Sequence, residues 1–112
     1  MLTLKDIELA HDRIRPFIHR TPILTNSSLN KLAGAELFFK CENFQKAGSF
    51  KIRGATNTVE LLSDSELKRG IATTSSGNHG AALSMAVSRR GGSTKVVMPR
   101  NTPKSKVANV KR

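Results

Sequence analysis

Two short stretches of this 112-residue chain carry side chains able to do chemistry. The first, Lys46-Ala47-Gly48-Ser49-Phe50-Lys51-Ile52-Arg53-Gly54-Ala55, runs from a small-residue loop into a helical pattern, so Lys51 falls in a first helical turn beside Phe50. The positive end of the helix and the nearby Arg53 would both favour the neutral amine of Lys51, the form that makes a Schiff base. An ordinary solvated surface lysine is the alternative. The second stretch, Ser75-Ser76-Gly77-Asn78-His79-Gly80, joins a strand-like run to a helical one. Free N–H groups at a helix start, small residues that let a ligand approach, and the hydroxyl and amide donors of Ser75, Ser76 and Asn78 make an anion site suited to a carboxylate. Simple capping by Ser76 or Asn78 is the alternative there. His79 could serve as acid, base or metal ligand, but no second His or Cys stands at metal-ligand spacing.

The elements that must position these residues alternate between strand and helix. Thr3 caps a first helix whose apolar stripe is Leu4, Ile7, Ala10 or His11, and Ile14, and Pro16 ends it. An extended piece at 21–25 precedes a short helix over 27–33 that Gly34 stops. Residues 36–42 read as a strand, 43–49 as a polar loop, and 50–62 as a helix presenting Ile52, Ala55, Val59 and Leu62 on one face. Strands are expected at 71–74 and 95–98, with a helix over 79–90 between them that Gly91-Gly92 terminates. Thr102-Pro103, a cap followed by proline, opens a last helix over 103–112. The alternation predicts an α/β fold, an open parallel sheet with flanking helices whose three core strands lie at 36–42, 71–74 and 95–98.

Composition bounds the function. The net charge is +11, and all of the eight residues after Ser88 that carry charge are basic. Nucleic-acid binding is a poor explanation: the chain has no Trp or Tyr, and its five Phe, at 17, 38, 39, 44 and 50, lie away from the basic stretch. No apolar run is long enough for a membrane span, and the N-terminus has no secretory pattern. Cys41 is the single cysteine, so neither a disulfide framework nor a thiolate zinc cluster is available. A cytoplasmic setting fits this usage.

Taken together, the two motifs resemble those of the fold-type II pyridoxal-phosphate enzymes, in particular the serine/threonine dehydratase and serine racemase family. The resemblance runs from Ile14-Arg15 and Thr21-Pro22-Ile23-Leu24 through Phe38-Phe39-Lys40-Cys41-Glu42 to Pro99. It implies a tryptophan-synthase-β-like fold, here incomplete, with a large-domain segment at roughly 1–50 and a small-domain segment at roughly 51–112. It implies that Lys51 holds pyridoxal 5′-phosphate and shuttles the substrate Cα proton, that Phe50 packs beside the cofactor ring, and that Asn78 bonds its 3′-oxygen. Ser75, Ser76, Gly77, Asn78 and His79 match the loop that takes the substrate carboxylate, and Ser76 matches the second acid/base of the racemases. Lys46, Asn26 and Ser27 match a nucleotide-effector site, from which Ala47 and Asn26 itself depart.

The function so implied is a dehydratase (ammonia-lyase) that converts L-serine, L-threonine or a similar hydroxy amino acid to a 2-oxo acid and ammonia. Racemase activity, or a catalytically dead amino-acid-binding module, is the alternative. The family's glycine-rich phosphate loop has no counterpart here, because Gly91-Gly92 stands between a helix and a strand. A divalent cation, Mg or Ca, is implied only through residues outside this segment. The resemblance further implies a homodimer at full length, and these 112 residues are expected to be marginally folded and inactive by themselves.

Overall fold

The computed structural model describes residues 1–111. Its first helix, α1 (Leu4–Ile14), begins at a capping box: the Thr3 hydroxyl accepts from the Asp6 N–H, and the Asp6 carboxylate accepts from the Thr3 N–H at 2.8 Å. Pro16 sits in a 3₁₀ turn, Arg15–Phe17, that continues α1. The expected apolar stripe is not a buried one. Leu4 and Ile7 face solvent, and only Ile14 is buried, because α1 meets its neighbour at its carboxyl end, where Arg13 bonds Asn57.

Next come β1 (Ile23–Leu24), α2 (Ser27–Ala33) and β2 (Phe39–Lys40). Asn26 caps α2, and Gly34, at φ +63°, turns the chain out of it. The strand expected over 36–42 shrinks to two residues that pair antiparallel with β1, Ile23 opposite Lys40. Both ends of that run are bonded elsewhere. The Leu37 N–H goes to the Asn30 side chain, and Glu42 opens a 3₁₀ turn with its carboxylate held by Arg53. The expected third strand of the parallel sheet therefore belongs to a separate ribbon.

The parallel sheet consists of β3 (Ile71–Thr74) and β4 (Thr94–Val97), paired in register from Ile71–Thr94 to Thr74–Val97. Between them lies α5 (Asn78–Arg89), giving the expected β-α-β unit. The helix expected over 50–62 is α3 (Lys51–Glu60). A further helix, α4 (Asp64–Lys68), was not foreseen, although Ser63 and Glu66 form a second capping box. The last helix is α6 (Lys104–Lys111). Thr102 does not cap it: its hydroxyl donates to the Pro99 carbonyl at 2.7 Å.

The core lies between α3 and α5, where Ile52, Ala55 and Val59 meet Ala82, Leu83, Ala86 and Val87, with Leu67 of α4 beneath. Alanines on both faces let the two helices approach closely. Gly91 (φ +75°) and Gly92 end α5 in a Schellman arrangement, the Gly92 N–H reaching the Val87 carbonyl and the Gly91 N–H that of Ser88. Gly92 is packed so tightly that a Cβ there would meet Leu67 at 2.7 Å and Val87 at 2.8 Å. No helix among the described residues is long and apolar enough to cross a membrane.

Candidate active site

The carboxyl ends of α3 and α5 are tied to each other. Arg89 of α5 pairs with Glu60 of α3, while Arg90 donates to the carbonyls of Val59 and Leu62 at 2.6 and 2.7 Å. Two packed helices joined at their carboxyl ends run in the same general direction, so their amino ends lie toward the same end of the molecule. Lys51, the first residue of α3, and Asn78, the first residue of α5, both lie at that end. The positive ends of both helices converge there.

Lys51 is exposed, with its ammonium 4.9 Å from the centroid of the Phe50 ring. Phe50 is the N-cap of α3 and is itself 58% exposed, a high value for a phenyl group. The chain reaches it through two successive residues in the left-handed region, Ala47 (φ 60°) and Gly48 (φ 69°). Gln45, buried, fixes this approach: its side-chain oxygen accepts from the N–H groups of His19 and Lys46, and its amide donates to the His19 carbonyl at 2.7 Å.

Arg53 does not attend Lys51 as the sequence suggested. Its guanidinium makes a two-pronged bond with Glu42, at 2.9 and 2.7 Å, and the Thr21 hydroxyl adds a third bond to that carboxylate at 2.6 Å. Positions two apart on a helix face nearly opposite ways, which sends Arg53 to Glu42 and leaves Lys51 free. The Arg53 guanidinium holds the Glu42 carboxyl down to about 2, against the opposing effect of burial, with Thr21 and the charge of Lys40 contributing less. Neither Gln45 nor this ion pair was singled out from the sequence. Each joins residues 11 to 26 positions apart, and no local pattern announces such a partnership.

The loop after β3 divides its labour. The Ser75 hydroxyl accepts from the N–H groups of Gly77, at 3.2 Å, and Gly80, at 2.9 Å, and so acts as the structural cap. Gly80 permits this closure, since a Cβ there would stand 2.9 Å from Val96 and 3.2 Å from Ser75. Ser76, Asn78 and His79 are exposed, and Gly77 is buried. The backbone N–H groups of Asn78 and His79 have no partner among the described residues, leaving two aligned donors at a helix start.

Of the other expected positions, Asn26 is engaged as the cap of α2, bonding the Leu29 N–H at 3.0 Å, and Ser27 begins that helix. Lys46 lies in the 3₁₀ turn Lys46–Gly48. No hydrogen bond or ion pair joins it to Asn26 or Ser27 among the described residues. No group of three or more potential metal ligands occurs among the described residues.

Residues 14–112 match the family model of the pyridoxal-phosphate dependent enzymes. The chain is 56% identical over 106 residues to a serine racemase of Dictyostelium discoideum, covering 95% of this chain and 33% of the relative. It is 54% identical over 110 residues to a β-hydroxyaspartate dehydratase of Paracoccus denitrificans, covering 98% and 35%. The structure of maize serine racemase superposes with a TM-score of 0.92 at 50% identity, covering 96% of this chain and 33% of the other. The chain thus spans about a third of the length of the curated relatives that it matches.

Proposed function

Because the chain belongs to the family of pyridoxal-phosphate-dependent enzymes, matched over residues 14–112, we propose that it supplies the cofactor lysine and the substrate-carboxylate loop of an enzyme acting at Cα of a small hydroxy amino acid. The observation that supports this reading is the common direction of α3 and α5, which sets Lys51 at the amino end of one helix and Asn78, with two unpaired N–H groups, at the amino end of the other.

The groups present suit the cofactor. An exposed amine fits its aldehyde, the open face of Phe50 its ring, and the exposed amide of Asn78 its phenolic oxygen. Gly91-Gly92 is not a phosphate loop, since both glycines are used to end α5. When bound, pyridoxal phosphate supplies an electron sink that makes the Cα proton of an amino acid acidic. Lys51 Nζ takes that proton and returns it. The N–H groups of Asn78 and His79, with the Ser76 hydroxyl, hold the substrate carboxylate and fix which bond at Cα is presented. The Ser75 hydroxyl serves the loop from behind, by holding Gly77 and Gly80 in place.

Two outlets share this site. Loss of the β-hydroxyl as water, with Lys51 as the one acid/base, leaves an enamine that water hydrolyses to a 2-oxo acid and ammonia. Return of the proton to the opposite side inverts Cα, and needs a second acid, for which Ser76 Oγ is the candidate. Dehydration was the first expectation from the sequence. Serine racemases among the relatives, beside a dehydratase, support racemisation at least as strongly. The whole enzyme is proposed to be a cytoplasmic homodimer with domains meeting near residue 50.

The test uses the holoenzyme that carries this sequence. Lys51→Ala should abolish turnover and the borohydride-reducible adduct, and an adduct at the normal level would refute the assignment. Ser76→Ala should remove D-serine formation from L-serine while release of 2-oxo acid and ammonia survives. Equal loss of both products would reduce Ser76 to a carboxylate anchor.

A further inference from the structure

We propose that Lys106 supplies the positive charge that draws the substrate carboxylate to the loop at 76–79, and so sets substrate affinity. This rests on the carboxylate reading of that loop. Because β3 and β4 are parallel, the loop after β3 and the start of α6 emerge at the same edge of the sheet. There the Lys106 side chain lies across Gly77: a Cβ built on Gly77 would stand 3.2 Å from Lys106 Cδ, 3.7 Å from Cε and 3.8 Å from Nζ. The aliphatic stem packs on the bare backbone of the loop and carries the ammonium alongside it.

That ammonium has no hydrogen-bond partner among the described residues. Among the described residues no carboxylate lies within salt-bridge distance of it, and the sequence has no acidic residue after Glu66. The loop, for its part, is short of charge. Two N–H groups at a helix start offer direction and the equivalent of about half a positive charge. A carboxylate brings a full negative one. Lys106, seated on the glycine between Ser76 and Asn78, makes up the difference. Lys95, Lys104 and Lys111 share the same basic segment, but Lys106 is the one found against Gly77.

A charge that meets the carboxylate equally before and during proton transfer changes binding without changing the chemical step. In the holoenzyme, Lys106→Gln should therefore raise KM for L-serine about three- to tenfold with kcat within about twofold. Lys106→Arg should restore KM, and raising salt should narrow the gap between wild type and Lys106→Gln. Acetate, which has the carboxylate but no amine to react, provides a second readout. Its competitive inhibition constant, and its dissociation constant from amide shifts of Asn78 and His79, should rise by the same factor in Lys106→Gln. If acetate moves those amides equally in wild type and variant, Lys106 has no such role while the loop assignment stands. If acetate moves neither amide in wild type, the loop assignment itself fails. A fall in kcat at unchanged KM would also overturn the proposal.

Discussion

Replacing Glu42 by glutamine tests whether the ion pair behind Lys51 holds the first turn of α3. The carboxylate takes two bonds from Arg53 and one from Thr21, and it titrates at about 2 instead of the ordinary 4.5. At 1.36 kcal/mol per pH unit that shift would be worth roughly 3 kcal/mol in a fully shielded pair. The Arg53 side chain is 29% exposed and the Glu42 side chain 16%, so water screens the pair and about 1–2 kcal/mol is the reasonable expectation. The sign follows from the direction of the shift. A carboxyl depressed in the folded state stabilises fully above its unfolded value of 4.5, and that contribution drains away as pH falls toward 2. Urea unfolding of the holoenzyme and of its Glu42→Gln variant, followed by circular dichroism, should differ by about 1–2 kcal/mol at pH 7. The two should converge as the pH is lowered from 4.5 toward 2. Equal stability at pH 7, or a difference that persists undiminished at pH 2, would refute the reasoning.

Gly92→Ala should destabilise the same protein by about 1–3 kcal/mol in urea unfolding, because its new methyl would press on Leu67 and Val87 with little room to yield. By contrast, Gly54→Ala, on an open surface of α3 where nothing lies within 4 Å of the new methyl, should be neutral or stabilise by up to about 1 kcal/mol. The 112-residue polypeptide alone should bind the dye ANS and aggregate on warming, since Ile23, Leu24, Leu32, Phe38 and Phe44 are all more than half exposed in it. Cooperative melting of a monomer without ANS binding would contradict that expectation.

The sequence by itself determined the features written within three or four residues. Thr3 with Asp6, and the glycines at 34 and 91, mark helix ends through bonds to their own neighbourhood, and the structure has those ends where the pattern placed them. The same local logic located β3, α5 and β4, and put Lys51 and Asn78 each at a helix start. Ser63 with Glu66 is an equally local signal, but the helix it opens is only five residues long. What the tertiary structure alone decided is who faces whom. Strand periodicity in residues 36–42 says nothing about partners, and Asn30 and Arg53 took the groups that a longer strand would have used. Arg53 looked like a neighbour of Lys51 along the chain, but the helix turns it to the other side, where Glu42 neutralises it. The common direction of α3 and α5, and the seat of Lys106 on Gly77, depend on helix packing and sheet edge. Those are set by packing among residues 26 to 31 positions apart, where burial and ion pairing reward a contact that no short stretch of sequence specifies.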